Sequence, residues 1–139
     1  MWRVLVIALL LAGCAQLPPS AADIQAKRFE SVPGKAVIYV VRTPMDSWEA
    51  SGLALDHDSQ ITTHRGTYYR WEVAPGTHRV ADFGFGASAV TLTTTPGKIY
   101  FLEQTVLGDR DDGGVTSTSL REIGDKDGRT LVARAELLR

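Results

Sequence analysis

Hydrophobic and polar positions along this chain change rhythm from one end to the other. Residues 4–11 are an unbroken apolar run, Val4 to Leu11, far shorter than the roughly 20 apolar residues needed to cross a bilayer. From Val32 onward, short stretches rich in β-branched and aromatic residues alternate with turn signals, which is a β pattern. Ala36 to Arg42 and Ile99 to Val106 are apolar on both parities, as expected of central strands covered on both faces. Thr67 to Val73 alternates instead: Tyr69, Trp71 and Val73 share one face and Tyr68, Arg70 and Glu72 the other, a half-exposed strand. Ser88 to Thr95 alternates too, with Val90 and Leu92 inward. Gly52 to Asp56 and Ile61 to His64 read as two short strands around the polar turn Asp56-His57-Asp58-Ser59-Gln60.

Three Pro-Gly pairs punctuate the pattern: Val32-Pro33-Gly34-Lys35, Ala74-Pro75-Gly76-Thr77 and Thr95-Pro96-Gly97-Lys98. Proline presets the second position of a type II turn and glycine takes the positive φ of the third. The middle pair predicts a hairpin joining Thr67–Val73 to His78–Phe83. Gly84-Phe85-Gly86 reads as a break, Gly108 to Gly114 as a solvated loop, and Val115 to Ile123 as a last strand. After a turn at Gly124–Gly128, Leu131, Val132, Ala135 and Leu138 fall on one helical face, predicting a short helix over 129–138 that caps an open edge or end of the sheets. Strands broken by turns, with helix only at the ends, argue for a mainly β fold over residues 32–139: a small antiparallel sandwich or partly closed barrel.

The N-terminus carries a different signal. A positive head (Met1-Trp2-Arg3), the short apolar run and Leu11-Ala12-Gly13-Cys14 have the three-part layout of an export signal, with a lipobox at its end. A thiol is the nucleophile that takes a diacylglyceryl group, and small residues before it admit a signal peptidase. Residues 1–13 are therefore expected to be removed and Cys14 to be lipidated, with residues 14–31 as lipidated N-terminus and tether. Stable anchoring takes two or more acyl chains, such as palmitate, each buried CH₂ adding about 0.8 kcal/mol. Leu17 to Ala22 is rich in proline and small residues, the composition of an extended spacer. Asp23 to Phe29 is consistent with a turn or two of helix, with Asp23 as N-cap. Lipoproteins of two-membrane bacteria retained at the inner membrane resemble one another in having aspartate after the cysteine. Ala15 stands there, which implies an outer-membrane destination facing the periplasm in a two-membrane cell, and the outer face of the cytoplasmic membrane in a cell with one.

Charge and cysteine count narrow the partners. The 139 residues carry 15 Lys+Arg against 16 Asp+Glu, and losing Arg3 with the signal leaves a mildly acidic domain. That is no footprint for nucleic acid, which calls for a clustered basic face, so the membrane is reached through the anchor. Cys14 is the only cysteine, so lipidation leaves a domain without disulfide, thiol nucleophile or thiolate metal site.

Val32-Pro33-Gly34-Lys35 with Ile38-Tyr39-Val40 and Arg42, then Thr67-Tyr68 leading to Pro75-Gly76-Thr77-His78, then Pro96-Gly97-Lys98-Ile99-Tyr100-Phe101, resembles the bacterial domain-of-unknown-function family numbered 2846. Its members are often envelope lipoproteins, and the likeness runs from about Phe29 to Ile123. One departure is visible, since Asp56-His57-Asp58-Ser59-Gln60 stands where a tight Asp-Gly turn is expected. The Pro-Gly-x-His corner is more distantly similar to PEGA and transthyretin-like surface modules, which implies an Ig/transthyretin-like sandwich. The resemblance implies no activity, and fold alone carries none.

Candidate chemistry is sparse. The histidines are His57, His64 and His78, and no serine sits in a G-x-S-x-G elbow. Asp56-His57-Asp58 offers acid-base or metal-binding groups, but strand neighbours point to opposite faces and a solvated turn is the simpler reading. Asp109, Asp111 and Asp112 before Gly113-Gly114 invite a calcium reading, yet the EF-hand spacing fails; no metal or cofactor is expected. His78 reads as a structural residue pinning its turn to a neighbouring carbonyl. Arg42 is expected to pair with Glu103 or Glu72. Trp48, Tyr68, Phe83 and Phe85 fall in loops or on outward parities, where they either plug the ends of the sandwich or contact a protein. If a binding patch exists, Arg42, Tyr68, His78 and Tyr100 are its candidates. The expected function is a non-enzymatic envelope lipoprotein that binds another envelope component, such as a protein. The alternatives are a small periplasmic hydrolase or metal-dependent enzyme using His57, Asp56 and Asp58, and a purely structural envelope protein.

Overall fold

The computed structural model describes residues 18–83, 85–111 and 113–139; the expected export signal and the expected lipidation site Cys14 lie outside them. Among the described residues there are two helices, α1 (Ala21–Ala26) and α2 (Asp125–Ala133), and nine strands. The strands are β1 (Ala36–Val41), β2 (Ser51–Leu55), β3 (Ser59–Thr63), β4 (Thr67–Val73), β5 (Gly76–Phe83), β6 (Ala89–Thr94), β7 (Ile99–Leu107), β8 (Ser117–Ile123) and β9 (Glu136–Leu137). They form a five-stranded sheet ordered β8-β7-β1-β4-β9 and a four-stranded sheet ordered β3-β2-β5-β6. The molecule is a small, mainly β sandwich with a short helix near its C-terminus.

The larger sheet is mixed, because β1 and β7 run parallel from Val37↔Ile99 to Val41↔Glu103. Two of the Pro-Gly turns explain why. Gly34 and Gly97 sit at φ +73° and +75°, a region glycine enters without steric cost. Lys35 N–H closes the first turn on Val32 O at 3.1 Å, and Lys98 N–H closes the second on Thr95 O at 3.3 Å. The turns then bond to each other, Gly97 N–H to Lys35 O at 2.7 Å and Val37 N–H to Lys98 O at 3.0 Å. Two similar turns side by side launch their strands in the same direction.

The middle Pro-Gly pair does not make a hairpin. β4 pairs with β1 and β9, whereas β5 pairs with β2 and β6, so Ala74-Pro75 is a corner between the sheets. Gly76 is at φ +143°, unlike the turn glycines. Both parts of a reversal look alike locally, and the partner is chosen by burial. β1 has all six residues buried and needs a neighbour on each side, so it takes β4 out of the hairpin.

Two cores follow from this. Between the sheets lie Ile38, Val40, Leu53, Trp71, Val80, Leu92 and Leu102. On the outer face of the larger sheet, Val37, Tyr39, Val41, Tyr68 and Phe101 are covered by Ala26, Val132 and Ala135, with Phe29 and Val32 alongside. Tyr39 and Phe101 stack at 5.2 Å between centroids, and Tyr39 Oη donates to Ala26 O at 2.7 Å. The second apolar parity of β1 is thus explained by cover from outside the sandwich.

That cover corrects four expectations. Residues 20–31 are not tether: α1 is capped by Ser20, whose Oγ accepts from Asp23 N–H at 3.1 Å, and it docks on the sheet. Asp23 is not the cap; its carboxylate accepts from Tyr68 Oη at 2.8 Å and Leu137 N–H at 3.1 Å. The C-terminal helix begins at Asp125, not 129, since Asp125 and Asp127 in its first turn suit the positive end of a helix dipole. It stops at Ala133, because residues 136–138 leave it to pair with β4, Glu136 N–H with Gly66 O and Leu138 N–H with Tyr68 O, each at 2.9 Å. It covers the sheet face rather than an edge, with Gly128 seated directly on the Phe101 ring.

The sandwich has two unlike ends. One holds the Pro33-Gly34 and Pro96-Gly97 turns, the Ala74-Pro75 corner and the β2–β3 turn, where Asp56 and His57 both take positive φ. β1 and β7 run away from that end together, so Arg42 and Leu107 finish at the other. There the loops 43–50, 64–66 and 108–116 gather, with Phe83 paired to Gly52. The chain also enters there: Asp23 meets Tyr68, which pairs with Val41 at the finish of β1.

Candidate functional site

At the loop-bearing end, β1 terminates in Arg42, on the same parity as Ile38 and Val40. Its side chain therefore enters the gap between the sheets and is 1% exposed. Nε donates to Asp46 Oδ2 at 3.1 Å, Nη1 to Glu49 O and Thr63 O at 3.0 Å each, and Nη2 to Ser47 O at 2.9 Å. Asp46 Oδ1 in turn accepts from Ser47 N–H and Val106 N–H, both at 2.8 Å. Thr63 Oγ1 lies 2.6 Å from Gln104 Oε1, and Gln104 Nε2 donates to Ser51 Oγ at 3.1 Å. Burial lowers the Arg42 pKa and the Asp46 charge opposes the fall; the guanidinium stays charged because its ordinary value is so high. The network uses groups from both sheets to clamp one loop, residues 43–50.

The expected partners of Arg42 are elsewhere. Glu103 shares the parity of Phe101, faces outward and pairs with Arg121. Glu72 is on the outer face too, with Arg70 at 2.5 Å. Sequence reading missed Asp46 because it lies beyond Thr43-Pro44, in a stretch with no periodicity; the four-residue spacing from Arg42 was the one available hint.

The clamped loop displays apolar side chains. Met45 is 92% and Trp48 76% exposed, and Phe83, Phe85, Leu107 and Val115 at the same end are also at least half exposed. The Arg65 guanidinium lies over the Trp48 ring, a cation–π contact. Single exposed apolar residues are ordinary; here six of them gather at one end of the sandwich. Of the four aromatics expected near the surface, Tyr68 is the exception, buried under α1.

The other candidates do not converge. Arg42 lies in the clamp, while Tyr68 points to the opposite face of the larger sheet. Tyr100 packs at the edge of the inter-sheet core, with Oη accepting from Thr95 N–H at 3.1 Å. His78 sits near the turn-bearing end, Nδ1 2.6 Å from Asp56 Oδ2 and Nε2 2.6 Å from Ala74 O. The four therefore form no single patch. Arg42 and Tyr68 part because they lie on opposite faces of the larger sheet, and His78 is carried away from both because the chain crosses to the other sheet at Ala74-Pro75.

At His78, partial burial works against the proton, but the bonds to Asp56 and Ala74 outweigh it and raise the pKa. Both neighbouring oxygens are acceptors, so both bonds are made when the ring carries its second proton. Asp56 is held low: burial opposes its charge, but Arg79 N–H at 2.7 Å and His78 prevail. Among the described residues, Glu49, Asp109 and Asp111 come close enough to share an ion. Asp109 and Asp111 are exposed and Glu49 is half-buried; Glu49 already accepts Arg110 N–H and Asp109 accepts Asp111 N–H, each at 2.9 Å. Asp112 lies outside the described residues.

The chain matches no protein-family model and no curated protein sequence. Its chemistry rests on the geometry of these residues.

Proposed function

We propose that this chain is a membrane-anchored envelope lipoprotein, held at the outer membrane through acylated Cys14 and facing the periplasm, that works by contact and not by catalysis. The lipobox supports the anchor. The observation that carries the contact reading is the clamped loop: Trp48 and Met45 are held out to solvent by a buried ion pair, so little conformational freedom is lost when the surface is covered. The His78–Asp56 pair favours the same reading, being consumed in holding a corner.

Two measurements test this. Cys14→Ser is expected to abolish palmitate incorporation and to move the protein out of the membrane fraction. A photo-crosslinking residue in place of Trp48 is expected to capture a reproducible envelope neighbour, while the same group in place of Asp58 captures none. If purified mature protein turned over an envelope substrate, and His78→Ala or Asp56→Ala abolished that turnover, the contact reading would give way to a hydrolase.

A further inference from the structure

We infer that the neighbour of the apolar end is the bilayer itself: the loop-bearing end of the sandwich rests on a zwitterionic phospholipid surface, with Trp48 and Met45 inserted at the headgroup level. This rests on the lipid anchor proposed above. The first observation is the length of chain before the fold begins. α1 is already capped by Ser20 and docked by Asp23, so five residues separate Cys14 from the cap of the folded domain. The six steps from Cys14 to Ser20, at no more than about 3.3–3.6 Å each, reach at most roughly 20 Å, and proline at 18 and 19 favours a stiff spacer. The domain cannot stand far from the lipid.

The second observation is where that chain enters. Ser20 and Asp23 meet the body beside Tyr68 and Leu137, at the end where β1 and β7 finish. This is the end that exposes Met45, Trp48, Phe83, Phe85, Leu107 and Val115, so the short leash and the apolar side chains face the same way. Tryptophan is the side chain that best suits a bilayer interface, apolar in body and polar at its N–H. The third observation is charge. Arg65, Arg110, Arg134 and Arg139 at this end are matched by Glu49, Asp109, Asp111 and Glu136, and Lys27 by Asp23, with no cationic surplus to select anionic headgroups. Attraction is therefore apolar, and the turn-bearing end, with Asp56 and His78, points into the periplasm.

The test uses the complete mature lipoprotein in phosphatidylcholine vesicles carrying brominated acyl chains. With the signal removed, its tryptophans are Trp48 and Trp71. Trp71 is buried between the sheets with Nε1 donating to Ser59 Oγ at 3.1 Å, next to the far end, and serves as internal control. Interfacial side chains sit about 5–10 Å into the headgroup and acyl boundary, so shallow bromines are expected to lower Trp48 emission roughly twofold. Trp48→Phe should abolish the quenching without changing the spectrum of Trp71. Protein that floats with the vesicles but shows unquenched Trp48 would overturn the inference and leave the anchor standing. If Trp48 were then also shielded from aqueous iodide, a second copy or another protein would be its cover. Protein that fails to float would remove the anchor, and the orientation with it.

Discussion

Arg42 Nε lies 3.1 Å from Asp46 Oδ2, and each of these side chains is 1% exposed. A pair buried this deeply gains little net stability from its own attraction, because both ions lose their hydration. Its consequence is conformational: the Ser47, Glu49 and Thr63 carbonyls are tied to Arg42 and Val106 N–H to Asp46, which fixes the loop carrying Trp48.

Removing one partner should therefore be far worse than removing both. Asp46→Ala leaves Arg42 charged in the interior and is expected to cost about 3–5 kcal/mol, read as a lower urea midpoint. The double variant Arg42→Met with Asp46→Leu should recover most of that loss while freeing the loop, seen as lower Trp48 fluorescence anisotropy.

α1 is held by Asp23 through Tyr68 Oη, Lys27 and Leu137 N–H. Burial pushes the Asp23 carboxyl up, but the bonds from Lys27, Tyr68 and Leu137 outweigh it, and its pKa is lowered. A lowered carboxyl contributes stability above its unfolded value, about 3.9, and loses it as pH falls through the folded value. Amide exchange in α1 and β9 should accelerate in acid, below about pH 4, before the rest of the sandwich responds. Tyr68→Phe should cost about 1–2 kcal/mol and move this acid transition upward.

His78 and Asp56 bracket stability from both sides. The raised His78 contributes fully below its unfolded pKa of about 6.5 and loses that contribution as pH rises through the folded value. The lowered Asp56 contributes above about pH 3.9 and loses it in acid. The corner should be firmest between those limits. Because the Asp56 side chain is 38% exposed, solvent screening holds the effect of Asp56→Asn to about 0.5–1 kcal/mol. In that variant the His78 proton resonance should titrate at lower pH than in wild type.

Gly128 is where α2 reaches the sheet. A methyl group there would overlap the Phe101 ring, so Gly128→Ala should lift the helix or displace the Tyr39–Phe101 stack. Overpacking of this kind costs about 1–3 kcal/mol, measurable as a drop in Tm. Gly34→Ala, which meets no atom within 4 Å, should cost only the backbone strain of φ +73°, about 1–2 kcal/mol.

What the sequence determined by itself was every feature written in local pattern. Alternation from Tyr68 to Val73 and double-sided hydrophobicity in β1 and β7 marked strands because a side chain's face follows from its position along the strand. Pro-Gly at 33–34 and 96–97 marked turns because their φ values are those that proline and glycine supply. The structure drew those elements almost as read. What only the tertiary structure decided was which surfaces meet. Nothing near Pro75 says whether the next strand returns to its own sheet or crosses to the other, since that choice belongs to the burial demands of β1. Nothing near Asp23 says that its carboxylate meets Leu137, 114 positions away. Arg42 found Asp46, and Tyr68 was lost from the surface, for the same reason: packing is settled by distant partners, and a local pattern carries the tendency to be buried without the identity of what buries it.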